Sequence, residues 1–428
     1  MPTLGRAWRV IFANGRCSQS INTRREIEEF AESPETRLTK IQRQLSRRAF
    51  KFKPAVGVAI PKKGKDQIRP LVVAPIESRI VQRAILDVLL QVPAISRIAE
   101  NPYSFGGVRK RKGTEIAAVP AAIQAVLAAI GRGATYVIRS DISSFFTRIP
   151  KPAILKIVAQ ATREPEFMEL FGTAITVELE NLASLREHAA AFPIHEIGVA
   201  QGNSLSPLLG NLLLSDFDLA MNSGECCCIR YIDDFIILAN DRATVERFFA
   251  EGLRIFARHG LEASPEKTVR ANVTQGFTFL GIEIGNGAIR PSRESRDRLL
   301  ASISDSLSES EIAFRLYAKS AQIIPSLTLT RTLSEVRGIV QGWGNHYSFC
   351  NEKNVFAQLD RQLDELMRRY LGAYSAAQKA TDPKGRRHLL GVPLLEEFTS
   401  HPFVWPKTTP APAAIPGPAV TLPAGLIK

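Results

Sequence analysis

The sequence has few of the residues that build disulfide frameworks or zinc sites. Among 428 residues there are five cysteines and six histidines, and no two cysteines have CxxC spacing. A reducing cytoplasm fits this cysteine content. An uncharged apolar run of about 18 residues, long enough to span a membrane, is also missing, as is an apolar segment of the signal-peptide kind near Met1. We therefore expect a cytoplasmic protein that is neither secreted nor inserted in a membrane.

Acidic residues are scarce where basic residues are most abundant. Residues 1–113 contain 23 Lys and Arg against 9 Asp and Glu, whereas residues 114–330 contain 20 basic and 25 acidic residues. Residues 331–428 contain 12 basic and 8 acidic residues, and the whole chain has a net charge of +13. A basic surface binds polyanions, although it can also serve solubility alone. An acidic segment beside it suits a metal-dependent enzyme that acts on nucleic acid.

Apolar periodicity predicts alternating helices and short strands. Residues 24–49 have helical spacing, and Ser33 is expected to cap a second helix that starts at Pro34. The seven prolines of residues 401–428 predict an extended or disordered tail. Strands are predicted at residues 55–60, 68–73, 136–142, 226–231, 235–239 and 277–284. Further helices are predicted from residue 76 to Pro93 and at residues 114–130, 151–190, 205–221, 242–260 and 291–375.

Two adjacent carboxylates, Asp233 and Asp234, separate two strongly apolar strands. Such a pair is costly unless a positive charge neutralises it. An ordinary solvent-facing hairpin turn is the alternative, but the flanking runs Cys226–Tyr231 and Phe235–Leu238 are too apolar for one. A divalent cation is the natural partner, and hard oxygen ligands favour Mg²⁺. We read the three consecutive cysteines as small buried apolar residues rather than as a metal site.

A third carboxylate, Asp141, ends another apolar strand and precedes Phe145 and Phe146. If the two strands pair side by side, Asp141 and Asp233 meet although 92 positions separate them. Carboxylates that converge in this way hold two metal ions roughly 3.5–4 Å apart. One ion would activate a 3′-hydroxyl and the other would stabilise a leaving pyrophosphate, which is phosphoryl transfer by positioning and charge neutralisation.

Blocks with a fixed order run through residues 55–375. They are PKKGKDQIRPLVVAPIESRIVQRAI (61–85), NPYSFGGVRKRKG (101–113), RSDISSFF (139–146), GVAQGNSLSPLLGN (198–211), RYIDDFIILA (230–239), LEASPEK (261–267) with FTFLGI (277–282), and GIVQGWGNHY (338–347). In this order they resemble the reverse transcriptases, and within them the bacterial group II intron-like lineage. The resemblance implies an α+β right-hand polymerase with a small antiparallel palm sheet. It also implies fingers over 1–135, a palm over 136–288, a maturase-like helical thumb over 289–378 and a Pro-rich tail over 379–428.

The resemblance also implies roles for residues that match the blocks. The metal-binding set would be the catalytic Asp141, Asp233 and Asp234 together with the Ile142 carbonyl. The nucleotide-binding set would be Arg69, Phe146, Gln201, Gly202 and Lys267. In that set, Phe146 would be a steric gate against the 2′-hydroxyl of ribonucleotides, and Lys267 would approach the pyrophosphate. The set that contacts template phosphates would be Lys62, Lys63, Lys65, Arg109, Lys110, Arg111 and Lys112.

The implied activity is RNA-directed DNA synthesis, and several alternatives stay open. The expected cofactor is two Mg²⁺ ions, with Mn²⁺ as a substitute, and the expected partners are an RNA template (a structured intron or a non-coding RNA), a DNA or RNA primer and dNTPs. A maturase whose main task is RNA binding is the first alternative. A defence-associated enzyme that copies a partner RNA, and untemplated or protein-primed synthesis, are others. Two departures from the family pattern are Ala200, in place of a proline, and Ile232, in place of an alanine.

Overall fold

Short antiparallel sheets form the framework of the fold. The structure is a computed structural model that describes residues 1–18, 20–61, 68–107, 117–320 and 322–405. The strands are β1 (Val56–Pro61), β2 (Ile68–Val73), β3 (Tyr136–Asp141), β4 (Cys226–Tyr231), β5 (Asp234–Ala239), β6 (Val269–Asn272), β7 (Phe277–Phe279), β8 (Ile282–Gly285) and β9 (Ala288–Pro291). Within the described ranges they form antiparallel sheets with the orders β1–β2, β4–β5–β3–β6 and β7–β8–β9.

Helices make up most of the remaining chain, and many of them have a proline in their first turn. This placement costs no hydrogen bond, because the first amides of a helix have no partner within it. The helices are α1 (Pro2–Arg16), α2 (Ile21–Ala31), α3 (Pro34–Ser46), α4 (Ile76–Leu89), α5 (Pro93–Ala99), α6 (Ala118–Gly131), α7 (Phe145–Arg148), α8 (Lys151–Thr162), α9 (Pro165–Ile175), α10 (Ser206–Leu213), α11 (Ser215–Ala220), α12 (Arg242–Arg258), α13 (Arg293–Ser320), α14 (Leu329–Tyr347), α15 (Lys353–Lys379) and α16 (Pro383–Leu390). Short 3₁₀ segments lie at Leu182–Ala191, Pro265–Lys267, Val273–Gln275, Pro325–Leu327 and Leu395–Glu397. None of the described helices is both long and apolar enough to cross a bilayer.

The four-stranded sheet is covered on both faces at its centre, which explains why β4 and β5 are almost continuously apolar. Alternate residues of a strand point to opposite faces. Accordingly, Ile138 and Ile237 join one buried cluster, whereas Val137 and Leu238 join another. The first cluster includes residues of α8, α10 and α12, and the second includes residues of α6, β7 and β8. A sheet buried in this way needs apolar side chains in both orientations.

Several predicted elements differ in the structure. Residues 277–284 form the hairpin β7–β8 rather than one strand, because Leu280 and Gly281 adopt positive φ angles of 49° and 75° and reverse the chain. The predicted helix 205–221 is divided into α10 and α11 at Leu214. Pro93 begins α5 instead of only ending the preceding helix. An alternating or apolar pattern does not reveal such local breaks.

The ends of the chain also differ from expectation. Helix α1 was not predicted from the sequence. Ser33 occupies the N-cap position of α3, but its side chain makes no capping hydrogen bond. Helix α16 lies within the predicted Pro-rich tail of residues 379–428, and Asp382 caps it by accepting a hydrogen bond from the Gly385 amide at 2.7 Å. Residues 406–428 lie outside the described ranges.

The chain divides into two compact units. Unit 1 contains Met1–Leu299 and Trp343–Asp360, and unit 2 contains Leu300–Gly342 and Arg361–Lys428. The predicted border between fingers and palm, after residue 135, falls inside unit 1. Within unit 2, the Phe314 and Tyr370 rings stack with centroids 5.8 Å apart, and the Ser310 and Tyr370 hydroxyls share a hydrogen bond of 2.8 Å. The division of the chain into fingers, palm and thumb stays a prediction.

Candidate active site

Strand pairing brings the three predicted catalytic carboxylates to one end of the four-stranded sheet. In the β3–β5 register, Asp141 lies directly opposite Asp234. Asp233 belongs to the turn between β4 and β5, and its main-chain carbonyl accepts a hydrogen bond from the Ile142 amide at 3.0 Å. The residues on either side of the turn, Tyr231 and Asp234, form the last pair of the hairpin. Backbone pairing therefore holds together carboxylates that are far apart in sequence.

The three carboxylates repel one another, although only Asp141 is buried, while Asp233 is half-buried and Asp234 is exposed at the end of β5. Burial raises the pKa of Asp233, and the charge of Asp141 raises it further. Desolvation, followed by the charges of Asp233 and Asp141, raises the pKa of Asp234 to about 6. Asp141 is buried, and one of its oxygens, Oδ1, has no hydrogen-bond partner. A site that crowds negative charge in this way is stabilised by any cation that enters it.

Lys267 supplies one positive charge at this site. Its ammonium group makes an ion pair with Oδ2 of Asp141. Burial lowers the pKa of Lys267, but the hydrogen bond to Asp141 and the charges of the three aspartates outweigh burial, so the net shift is upward. Lys267 therefore stays protonated beside the carboxylates. The predicted approach of Lys267 to a pyrophosphate stays a prediction.

The side chains at this site fit a hard divalent cation, although they do not form a preassembled cage. Over the ranges that the structure describes, no three Asp, Glu, His or Cys side chains converge closely enough to make a metal cluster. The donors available are nevertheless carboxylate oxygens, which Mg²⁺ prefers. The buried and unpartnered Oδ1 of Asp141 leaves an acceptor that a cation would satisfy. Asp141, Asp233 and Asp234 are thus the residues that would hold such an ion.

One cleft is lined by all five of the predicted nucleotide-binding residues. It has a volume of about 1630 Å³. The predicted site residues that line it are Arg69, Asp141, Ile142, Phe146, Gln201, Gly202, Asp233 and Lys267. The predicted template-contacting residues Lys62, Lys63, Lys65, Arg109, Lys110, Arg111 and Lys112 lie outside the described residues. A cleft that joins acidic, basic and aromatic side chains can receive a charged ligand with a planar or ring component.

Phe145 and Phe146 are adjacent in sequence but differ in how deeply they are buried. Both belong to the helical turn α7, which begins after Ser144, a residue with a positive φ of 50°. Phe145 is buried in the core and Phe146 is partly exposed, and both rings contribute to the lining of the cleft. The two rings are tilted against each other with centroids 5.4 Å apart. The helical turn, rather than strand alternation, therefore separates the two side chains.

Gln201 and Gly202 contact the two-stranded sheet directly. The Val72 amide donates to the Gln201 carbonyl at 2.8 Å. Gly202 has a φ of 110°, and a Cβ built on it would lie 2.8 Å from the Val72 carbonyl oxygen. Glycine is required here because the chain adopts a left-handed conformation and approaches β2 closely.

Arg230, which borders the predicted YIDD motif, has contacts that we did not predict from the sequence. It lies on β4, it is fully buried, and it pairs with Asp218 of α11. The signal was present, because a buried arginine in an otherwise apolar strand requires a partner. Asp218 could not be identified as the partner. Its segment was predicted to be helical from the apolar residues alone, and that prediction says nothing about what its polar side chains contact. A second cation, Arg139, acts on the Asp234 carboxylate through its charge.

Comparison with known families agrees with this geometry. The chain belongs to the reverse transcriptase (RNA-dependent DNA polymerase) family, whose model matches residues 60–284. A second family model, the group II intron maturase-specific domain, matches residues 318–384. The chain is therefore a group II intron-like reverse transcriptase/maturase. The predicted family and the predicted α+β right-hand polymerase fold are both confirmed.

Two curated proteins are similar to parts of the chain. Protein YkfC of Escherichia coli (strain K12) is 27% identical over 266 residues, which cover 53% of this chain and 66% of that protein. An uncharacterized 91 kDa protein in a cob intron of Schizosaccharomyces pombe is 23% identical over 394 residues, which cover 75% of this chain and 46% of that protein. The chain thus spans less than two-thirds of the length of either relative.

Solved structures of telomerases are distantly similar. Apo telomerase from Candida tropicalis is 14% identical, with 77% of this chain and 65% of that chain covered and a TM-score of 0.40. Telomerase from Candida albicans, in complex with a fragment of telomeric RNA, is also 14% identical, with 82% and 61% covered and a TM-score of 0.41. Likeness at this level adds nothing to the family assignment.

Proposed function

We propose that this chain is an RNA-directed DNA polymerase that adds dNTPs to a primer 3′-hydroxyl on an RNA template. The observation that carries the proposal is the single cleft in which Asp141 and Asp233 face Arg69, Phe146 and Gln201. Phosphoryl transfer asks a protein mainly to position reactants and to neutralise charge. The cleft offers groups for both tasks.

The acidic end of the sheet would hold the divalent ions. Asp141, Asp233 and Asp234 supply carboxylate oxygens, and the Ile142 main chain would add a carbonyl ligand. When bound, two Mg²⁺ ions would activate the attacking 3′-hydroxyl and stabilise the leaving pyrophosphate. Mn²⁺, which accepts the same oxygen ligands, would serve as a substitute. The charge repulsion among the three aspartates supports this role, because bound cations would relieve it.

The remaining cleft residues would bind the incoming nucleotide. The planar guanidinium of Arg69 suits bidentate contact with phosphate oxygens. Phe146 would exclude the 2′-hydroxyl of a ribonucleotide, and Gln201 and Gly202 would line the base and sugar. Lys267 would exchange its ion pair with Asp141 for contact with the pyrophosphate, to which it can donate a proton. The basic residues of the first 113 positions would hold the template.

A primer-extension assay tests the proposal. The purified chain is mixed with a labelled DNA primer on an RNA template, Mg²⁺ and either dNTPs or NTPs. We expect extension to the template end with dNTPs, little with NTPs, and retained activity when Mn²⁺ replaces Mg²⁺. Parallel reactions without template, with single dNTPs and with phenol extraction of the products, detect untemplated or protein-primed synthesis. Absence of template-dependent extension would contradict the proposal.

A maturase role is the second candidate, and the match to the maturase-specific domain at residues 318–384 favours it. Arginines that can meet RNA phosphates are exposed on α14 and α15 of unit 2: Arg331, Arg337, Arg361 and Arg369. In this case the RNA partner would be an intron that the protein helps to fold. Copying of a partner RNA in phage defence, like a cytoplasmic location, stays a prediction.

Removal of the carboxylates separates the two roles. Asp233→Ala combined with Asp234→Ala would abolish DNA synthesis but leave exposed surfaces of unit 2 unchanged. RNA that copurifies with the wild-type protein and with this variant is sequenced, and splicing of any intron found is measured with both. Splicing that survives intact in the variant supports a binding role; loss of the biological phenotype supports polymerisation as the main task.

A further inference from the structure

A fully buried arginine lies directly before the YIDD turn. The Arg230 side chain has 0% exposure, although it carries a permanent charge. Its Nε donates to Oδ1 of Asp218 at 2.8 Å, and its Nη2 donates to Oδ2 of the same carboxylate at 2.5 Å. Asp218 is itself only 3% exposed. This bidentate pair fixes the plane and direction of the guanidinium.

The remaining nitrogen of Arg230 reaches the catalytic turn. Nη1 donates to the main-chain carbonyl of Ile232 at 2.8 Å and to Oδ1 of Asn211 at 3.0 Å. Ile232 has a φ of 61°, in the left-handed region that a β-branched residue adopts only when its surroundings impose it. The next two residues are Asp233 and Asp234. The buried guanidinium of Arg230 is therefore hydrogen-bonded to the peptide group that precedes Asp233 and Asp234, and the conformation there sets the direction of both carboxylates.

The same network contacts the loop before the basic residues 109–112. Asn211 donates through Nδ2 to the Gly106 carbonyl at 3.2 Å and accepts from the Ser104 hydroxyl at 3.2 Å. The main chain of Arg230 is also paired with this loop, since its carbonyl accepts from the Phe105 amide at 2.9 Å. A Cβ on Gly106 would lie 2.3 Å from the Ile232 side chain, so the loop packs tightly on the turn.

We propose that Arg230 is a positioning residue for the polymerase reaction: it holds Ile232 in the left-handed conformation that aims Asp233 and Asp234 at the metal ions. The inference rests on the proposed function, and it deepens that function by naming what orients the catalytic turn. Asp218 fixes Arg230, and Asn211 joins the same network to the Ser104–Gly106 loop. Without the guanidinium, the Ile232 carbonyl would lose this donor, although the Tyr231–Asp234 pair and the contact between the Ile142 amide and the Asp233 carbonyl would still hold the ends of the turn.

This arrangement uses a buried ion pair for geometry rather than for stability. Removal of one partner alone would leave an unpaired buried charge and would unfold many proteins. Replacement of both partners by apolar residues of similar volume is often tolerated, so the structural and positioning roles can be separated. Groups that orient metal ligands from outside the ligand set change metal affinity by about 10- to 100-fold when they are removed.

The test combines Arg230→Met with Asp218→Leu in the full chain. The matched control is Arg79→Met combined with Glu26→Leu, which removes another ion pair of unit 1 (2.5 Å) that does not touch the turn. Folding is followed by circular dichroism and thermal melting. Affinity for Mn²⁺ alone is measured by electron paramagnetic resonance, and single-nucleotide incorporation gives kcat and KM.

We expect the Arg230/Asp218 variant to melt near the wild-type temperature, to bind Mn²⁺ about 10-fold more weakly and to lose at least about 10-fold in kcat, with KM for dNTP changed less than about threefold. The control variant should keep Mn²⁺ affinity and kcat. Wild-type Mn²⁺ affinity and kcat in a folded Arg230/Asp218 variant would overturn the proposal.

A second variant covers the case in which the double substitution does not fold. Arg230→Lys keeps the charge beside Asp218, but one ammonium group cannot replace a planar fork that serves Asp218, Asn211 and Ile232 together. It should fold and show the same loss of Mn²⁺ affinity and kcat; unchanged values would overturn the proposal. If the wild type extends no primer, the proposed function fails, and Mn²⁺ affinity alone decides whether Arg230 orients the carboxylates.

Discussion

Asp141 and Asp234 lie directly opposite each other in the register of β3 and β5, at the end of a sheet whose two faces are both buried. Because antiparallel pairing fixes this relationship through backbone hydrogen bonds, the two carboxylates are held close together without any contact between their side chains. Asp233, which precedes Asp234 in the turn, lines the nucleotide-binding cleft together with Asp141. Repulsion among these carboxylates makes the site receptive to cations, and Lys267 supplies one such charge.

Phe146→Ala should weaken discrimination against ribonucleotides. Phe146 lines the cleft beside the carboxylates, so its loss would make room for a 2′-hydroxyl. We expect the ratio of kcat/KM for dNTP to that for NTP to fall by roughly 10- to 100-fold. The ratio is measured by incorporation of one matched nucleotide.

Phe145→Leu is the matched control for this prediction. Phe145 is 2% exposed and packs in the core, so the change should cost about 1–2 kcal/mol of stability and leave nucleotide discrimination unchanged. A loss of discrimination in Phe145→Leu, with none in Phe146→Ala, would show that Phe146 is not the ring that excludes the 2′-hydroxyl.

Gly202→Ala should harm both stability and nucleotide use. Its φ of 110° and the 2.8 Å approach to the Val72 carbonyl leave no room for a Cβ. We expect a loss of about 1–3 kcal/mol in the free energy of unfolding and a higher KM for dNTP. Chemical denaturation and steady-state incorporation provide the measurements.

Gly372→Ala serves as the comparison for Gly202→Ala. Gly372 lies within α15, where an added Cβ meets no atom within 4 Å. There the substitution should stabilise the protein by about 0.5–1 kcal/mol through helix propensity, without effect on KM. Equal responses at the two positions would contradict the argument from close approach at Gly202.

Binding of primer–template should depend strongly on salt through the N-terminal third of the chain. Each phosphate contact adds about 0.7–0.9 to the slope of log K against log salt concentration. Replacement of Arg109, Lys110, Arg111 and Lys112 by Ala should therefore flatten the slope by up to about 3.6. Arg254→Gln, on the exposed face of α12, should leave the slope unchanged. Fluorescence anisotropy measures the affinity of both variants from about 50 to about 300 mM salt, a range over which screening of exposed charges increases steadily.

The cysteines should behave as buried apolar residues. Burial raises the pKa of Cys226 to about 12 and that of Cys350 to about 11, and it also raises the pKa of Cys227 and Cys228. Cys17 is exposed. A thiol reagent at pH 8 should therefore label Cys17 first, the half-buried Cys227 and Cys350 more slowly, and the buried Cys226 and Cys228 only after denaturation. Cys17→Ser should remove the fast phase; rapid labelling of Cys226 or Cys228 would contradict their burial.

Much of the palm could be predicted from the sequence because its strands are short, apolar and bounded by charged residues. Tyr136–Asp141, Cys226–Tyr231 and Asp234–Ala239 are strands, as expected within one residue. The β7–β8 hairpin was missed because an apolar alternation hides the turn at Leu280 and Gly281. A positive φ at a leucine leaves no signal in a single sequence.

Some features of the active site could likewise be predicted from the sequence, and others could not. The meeting of Asp141 with the aspartate pair was predicted on the condition that their apolar strands pair side by side, and the pairing of β3 with β5 meets this condition. The network of Arg230, Asp218 and Asn211 could not be predicted, since it depends on how α10 and α11 pack behind β4. Pairing between strands follows from pattern, whereas buried polar networks follow from three-dimensional packing.

Single-nucleotide incorporation by Asp141→Asn and Asp234→Asn, with the exposed Asp360→Asn as control, tests the central claim most directly. All three variants should fold and bind primer–template with similar affinity. Asp141→Asn and Asp234→Asn should each lose at least roughly 100-fold in kcat, because each removes an oxygen ligand and a charge, whereas Asp360→Asn should match the wild type. Activity within about threefold of wild type in either of the first two variants would contradict the account.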